Sequence, residues 1–178
     1  MRPLVCLRDP SRPCIIAQSG EKRTVVMERV FKAEMLDKMQ YLFRNYYDRM
    51  MHCVLFYPAP LDEDALRRAL EFQISHVPVL HSRYHNNFIK PYWVLQEWTL
   101  DDALTVEDTD DLEGRAKAFA EQRIPIESNV QIRIGLFRCK ERRALVFVVN
   151  HMCFDGGDLK YFVTQLAKNY TVLVNGGE

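Results

Sequence analysis

Apolar residues recur at helical spacing in some stretches and alternate, or run unbroken, in others. Leu66, Leu70 and Ile74 fall every four residues, with Ala65 and Ala69 beside them, which predicts an amphipathic helix. Asp62 is placed to cap it, with Glu63 and Asp64 suiting the positive end of the helix dipole. Pro78 disfavours helix in the residue before it, so the helix should stop near His76. A second helix is expected over 33–47, with Leu36, Met39, Leu42 and Phe43 as its apolar positions. Another is expected over 112–122. Leu159, Phe162, Val163, Leu166 and Tyr170 mark a final one.

Between these helices the pattern changes to that of strands. Residues 25–31, 51–57 and 79–84 are apolar or β-branched runs of strand length, and Pro58 and Pro60 close the second. A further strand is expected over 88–97, with Pro91 suggesting an edge or a bulge. The 101–111 run is acidic and reads as a solvated loop with a short strand. Val130, Ile132, Ile134 and Leu136 alternate with Gln131, Arg133, Gly135 and Phe137, as a strand with one buried face does. A polar turn at 140–142 leads into 144–149, apolar at every position, so both faces of that strand should be covered. The two form an expected antiparallel hairpin over 130–149. The order of elements predicts an α/β (α+β) fold with helices packed on a mixed, largely antiparallel sheet. Residues 1–23 carry Pro3, Pro10, Pro13 and Gly20 and read as an irregular arm, in which Cys14-Ile15-Ile16-Ala17 has the makings of a short strand. Residues 24–178 read as one domain.

Composition narrows the function classes. At 178 residues a domain buries roughly 70% of its unfolded surface, enough for a real core. Lys plus Arg and Asp plus Glu are 24 each, so no strong field favours nucleic acid or anionic lipid. The five cysteines, Cys6, Cys14, Cys53, Cys139 and Cys153, are odd in number and form no CxxC pair. That points away from a disulfide framework or a zinc site and towards reduced thiols in the cytoplasm. No apolar run is long enough to span a membrane. His76, His81 and His85 lie close in sequence without carboxylates at matching spacing, so they read as surface or strand histidines and no metal is expected. Trp93, Trp98, Met50, Met51 and the aromatic set Tyr41, Phe43, Tyr46 and Tyr47 read as packing and interface residues.

The candidate chemistry lies in Asn150-His151-Met152-Cys153-Phe154-Asp155-Gly156. The motif follows the buried strand directly and opens into the last helix. A loop at a strand end is held by the rigid sheet and is a common catalytic position. An imidazole there can take a proton from a hydroxyl, amine or thiol as it attacks an acyl thioester. Asp155 can orient the loop by pairing with an arginine. Gly156 and Gly157 remove side chains where a ligand or backbone must come close. Cys153 reads as a small apolar filler and not as a nucleophile. By average residue usage, His-x3-Asp-Gly arises by chance in roughly one to two chains per hundred, so its placement carries the weight.

The motif resembles the HHxxxDG signature of the chloramphenicol acetyltransferase-like superfamily, which includes the condensation domains of nonribosomal peptide synthetases and the alcohol and wax-ester acyltransferases. Upstream, residues 60–70 and then His76-Val77-Pro78-Val79-Leu80-His81-Ser82-Arg83-Tyr84 are similar to the first long helix of that group and the HPxLR strand after it. The resemblance spans 25 to about 175. It implies that His151 is the general base, Asp155 the structural carboxylate and Gly156 the motif glycine. Asn150 stands where the signature has its first His. His81 stands where the upstream motif has Arg, and Arg83, two residues on along the same expected strand face, is the cation expected to pair with Asp155. The resemblance further implies a single lobe of this type, and an acyl donor held as a coenzyme A or carrier-protein phosphopantetheine thioester, with no tightly bound cofactor. It implies a hydroxyl or amine acceptor. Enzymes of the two-lobe type have the site between lobes, and chloramphenicol acetyltransferase has it between subunits. The expected partners are therefore a small-molecule donor and acceptor, a carrier protein, and a second lobe or a second copy that completes the site. A non-catalytic binding or assembly module that keeps the fold, or an inactive isolated lobe of a longer two-lobe enzyme, is the alternative.

Overall fold

The structure is a computed structural model and describes residues 30–58, 60–87 and 89–177. The expected arm at 1–23, including the Cys14–Ala17 segment, and most of the 25–31 strand lie outside the described residues. The described elements run in the order β1 (Val30–Lys32), α1 (Met35–Leu42), β2 (Met50–Tyr57), α2 (Glu63–Ser75), β3 (Ser82–His85), β4 (Tyr92–Leu95), β5 (Leu104–Asp108), α3 (Leu112–Ala120), β6 (Ile132–Cys139), β7 (Arg142–Asn150) and α4 (Gly156–Val174). The strands form two sheets. One has the order β1-β4-β3, and the other β2-β7-β6-β5. All pairs are antiparallel except β5 with β6. The mixed, largely antiparallel α/β fold read from the sequence is therefore present, divided over two sheets.

The four-stranded sheet is covered on both faces. Leu145, Phe147 and Val149 of β7 and Ile132, Ile134 and Leu136 of β6 join Leu66 and Leu70 of α2 and Phe162 and Leu166 of α4 in the main core. The alternate residues Ala144, Val146 and Val148 join Phe137 and the α3 residues Leu112, Ala116 and Phe119 in a second core. The unbroken apolar run of β7 follows from this double cover. The single buried face expected for β6 does not hold, because α3 buries Phe137 as well. Gly135 makes that possible: a Cβ there would lie 2.5 Å from Phe137 Cε2 and 3.2 Å from Phe119 Cδ1.

Local signals were good where caps are strong. Asp62 Oδ1 accepts from Ala65 N–H at 2.9 Å and starts α2. Leu70 and Ile74 are fully buried beneath it. The segment expected as a strand from 79 begins instead as a 3-10 turn, Pro78–His81, with β3 starting only at Ser82. Proline at the first position of a helical turn suits it better than a strand. The acidic stretch holds the expected short strand as β5, and its carboxylates pair with arginines while staying largely exposed. Arg138 Nε meets Asp108 at 2.8 Å, and Arg115 Nη2 meets Glu107 at 2.7 Å. The helix expected over 33–47 ends at Leu42, and its faces are reversed. Asp37 and Gln40 are its buried residues, whereas Met35, Leu36, Met39, Leu42 and Phe43 are exposed.

Candidate functional site

Strand β7 is buried from Ala144 to Asn150. Where it ends, the backbone turns and makes three hydrogen bonds, to Arg49 and to Asn150. His151 N–H donates to Arg49 O at 2.7 Å, continuing the β2 pairing by one step, and Cys153 N–H donates to Asn150 O at 2.8 Å. Met152 N–H donates to Asn150 Oδ1 at 3.1 Å. The chain then enters α4 through Asp155, whose Oδ1 accepts from Asp158 N–H at 2.9 Å. Asp158 Oδ2 accepts from Asp155 N–H in return, at 3.0 Å. This reciprocal cap satisfies two otherwise orphaned donors. Asp155 is thus an anchor of the loop through the helix it starts.

Side chains fix the loop from two sides. Met152 packs with Ala33, Tyr84, Trp93 and Ile126, the core beneath the three-stranded sheet. Phe154 belongs to the main core and meets Phe162 with ring centroids 5.6 Å apart. The loop is therefore pinned where the two packing units meet, and His151 directly precedes the first pin, Met152. The His151 ring is half-buried, and its Nδ1 is enclosed without a hydrogen-bond partner among the described residues. No atom of the described residues lies within 4 Å of where a Cβ on Gly156 would be. No described neighbour therefore requires glycine at that position. At Gly157 a Cβ would lie 3.1 Å from Asp155 Oδ1, so glycine there eases the cap.

Asn150 has no exposed surface. Its Nδ2 donates to Gln131 Oε1 at 2.9 Å. Arg83 is elsewhere. Its Nε and Nη2 donate to Asn129 Oδ1 at 3.1 and 2.6 Å, and the ion pairs among the described residues do not include Arg83 with Asp155. The expectation failed because His81 is in the 3-10 turn. Strand alternation starts after it, so His81 is buried while Arg83 points outward. His81 stacks on Trp98 with centroids 5.3 Å apart, and neither ring nitrogen has a hydrogen-bond partner among the described residues. Burial lowers its pKa. The nearby backbone of Gln96 and Ser75 and the charge of Glu97 partly oppose that, without reaching hydrogen-bond geometry.

Two residues near the motif were not singled out from the sequence. Arg49 is buried, donates Nη1 to Met152 Sδ at 3.7 Å and carries the backbone acceptor for His151. Burial lowers its pKa. Arg123 and Arg44 add to that, and Asp48 and Glu127 pull back. Gln131 is the other, and its only sequence signal is a polar residue where a strand enters the core. Cys153 donates Sγ–H to Val79 O at 3.8 Å, and burial, helped by the charge of Asp37, pushes its thiol well up. A thiol held protonated is a poor nucleophile, which fits a packing role. Among the described residues no group of three His, Cys, Asp or Glu is arranged to hold a metal, and no helix is long and apolar enough to cross a membrane.

Comparison with known proteins agrees on one fold. The chain is similar to the starter condensation domain of the rhizomide synthetase RzmA, with a TM-score of 0.69 at 13% identity over 84% of this chain and 41% of that one. It is similar to the first condensation domain of the calcium-dependent antibiotic synthetase, with a TM-score of 0.66 at 22% identity over 82% and 38%. It is also similar to a condensation domain that mediates chain release from the enacyloxin polyketide synthase, with a TM-score of 0.64 at 14% identity over 87% and 31%. The chain therefore spans roughly two fifths or less of the length of these structures. No curated protein matches its sequence. The sequence profile described as "Condensation domain" matches residues 35–178, from the start of α1 through the motif and α4. By that match the chain belongs to the condensation domain family.

Proposed function

We propose that this chain forms one wall of an acyl-transfer site in which His151 is the general base. His151 Nε2 takes the proton of an acceptor hydroxyl or amine as that atom attacks the carbonyl carbon of an acyl thioester. The C–S bond then breaks, and the leaving thiolate takes up the proton, giving an ester or amide and a free thiol. The donor thioester is carried on a carrier-protein phosphopantetheine or on coenzyme A. Asp155 holds the loop by capping α4, and Gly156 and Gly157 leave room for the substrate. A second lobe or a second copy supplies the facing wall. The observation that carries this reading is the half-buried His151, pinned at the end of a buried strand with one ring nitrogen enclosed and the other left for a substrate. The test is consumption of an acyl thioester, carrier-bound or on coenzyme A, with a panel of alcohols and amines. His151→Ala should slow it by about 10²–10⁴-fold.

A second reading is a binding or assembly module without turnover. It is favoured by the same Nδ1, which among the described residues lacks the acceptor that normally orients a catalytic imidazole. Under that reading His151→Ala leaves partner binding intact, and no thioester is consumed by the unaltered chain.

A further inference from the structure

Gln131 and Asn150 are both 0% exposed. A buried primary amide is costly unless its donors and acceptor are met, and an apolar residue at either place would continue the surrounding pattern. Here the two amides satisfy each other and their surroundings. Gln131 Nε2 donates to Ser128 O at 2.7 Å and lies 3.2 Å from Ser82 O and 3.4 Å from Ile126 O. Its Oε1 accepts from Asn150 Nδ2, and Asn150 Oδ1 accepts from Met152 N–H. The backbone repeats the connection. Gln131 N–H donates to Leu80 O at 2.7 Å, and Asn150 N–H donates to Gln131 O at 3.0 Å. One side chain thus ties together the turn at 80–82, the loop at 126–128 and the turn that carries His151.

We infer that the buried Gln131–Asn150 amide pair is a clamp that positions His151, with Gln131 fixing Asn150 and Asn150 fixing the turn. The inference rests on the reading of His151 as the base. It also defines what position 150 must supply: one donor towards Gln131 and one acceptor towards Met152. A neutral imidazole offers one of each, so histidine can replace Asn150. An ionised carboxylate offers acceptors alone. In Asn150→Asp, an oxygen faces Gln131 Oε1, or else Gln131 turns its amide and faces its own oxygen to the carbonyls of Ser128, Ser82 and Ile126. Either arrangement leaves an unpaired contact between acceptors.

The test is hydrogen exchange and side-chain NMR on the 178-residue chain. In the unaltered protein the side-chain amide protons of Gln131 and Asn150 and the Met152 N–H are protected. In Asn150→Asp, exchange at Met152 rises about tenfold or more and the His151 ring signals move, while the β7 amides of Val146 and Val148 keep their protection. Asn150→His restores both readings. Where thioester turnover is measured, Asn150→Asp lowers kcat with little change in KM for the thioester, as expected for lost positioning. Fast exchange of the two side-chain amides in the unaltered protein overturns the clamp, and that measurement needs no folded variant. Unchanged Met152 exchange and His151 signals in a folded Asn150→Asp protein overturn it as well. The exchange measurements need no turnover. Failure of the acyl-transfer reading leaves them unaffected, and their failure leaves that reading standing.

Discussion

At the scale of the residue, two histidines near the motif have opposite surroundings. His151 is half-buried at a turn, and His81 is enclosed against Trp98 with both ring nitrogens unpartnered among the described residues. Burial lowers the His81 pKa in the folded protein from its ordinary 6.5. The sign of the effect on stability follows by linkage. Above pH about 6.5 His81 is neutral in both the folded and unfolded chain and adds no pH dependence. As pH falls below that, the unfolded chain takes up the proton first, so stability declines by up to about 1.4 kcal/mol per pH unit until the folded pKa is reached. Urea unfolding of the unaltered protein and of His81→Phe, followed from pH 7.5 downward, checks this. The decline attributable to this residue should vanish in the variant. Asp155 gives a second prediction at this scale. As the cap of α4 it should cost about 0.5–2 kcal/mol when replaced by Ala, measured by the same unfolding experiment. Asp155→Asn should keep most of that.

At the scale of the element, α1 and α2 make a pair with similar apolar periodicity and opposite fates. In α2 the apolar stripe is core, and in α1 it faces outward while Asp37 and Gln40 face in. Asp37 Oδ2 accepts from Trp93 Nε1 at 3.2 Å, and Gln40 accepts from Tyr47 O–H at 2.8 Å. Leu70→Ala should therefore destabilise by about 2–5 kcal/mol. Leu42→Gln on α1, where Leu42 is 62% exposed, should change stability by less than about 0.5 kcal/mol. Chemical denaturation of the two variants gives the comparison, and equal losses would mean that the stripe of α1 is covered. This contrast also shows what periodicity can tell. It places the apolar residues of α1 on one face but does not say whether that face meets the core. The strong cap at Asp62 made α2 legible almost to the residue. The double cover of β7 was legible because an apolar residue stands at every position. The division of the strands into two sheets was not, since it depends on β1 pairing with β4, a segment far away in sequence. The 3-10 turn at Pro78–His81 was missed because its apolar residues fit a strand as well, and that miss moved Arg83 to the wrong place.

At the scale of the whole molecule, the site sits where two sheets are pinned to one loop. The spacing of His151 and Asp155 and their place after a buried strand can be read locally, whatever role they carry. Gln131 and Arg49 were not legible, because their contacts with the motif are made across strands. The chain belongs to the condensation domain family and covers about two fifths of the similar starter condensation domain. The exposed face of α1, with Met35 70% and Leu42 62% exposed, is an apolar surface of the kind that marks interaction sites.

The central claim, that His151 is the base of an acyl-transfer site, is tested most directly by thioester consumption with and without the imidazole. The unaltered chain, supplied with an acyl thioester and an amine or alcohol, should consume it. His151→Ala should slow that by about 10²–10⁴-fold, the usual contribution of a positioned general base. Consumption at the same rate in both proteins would contradict the account.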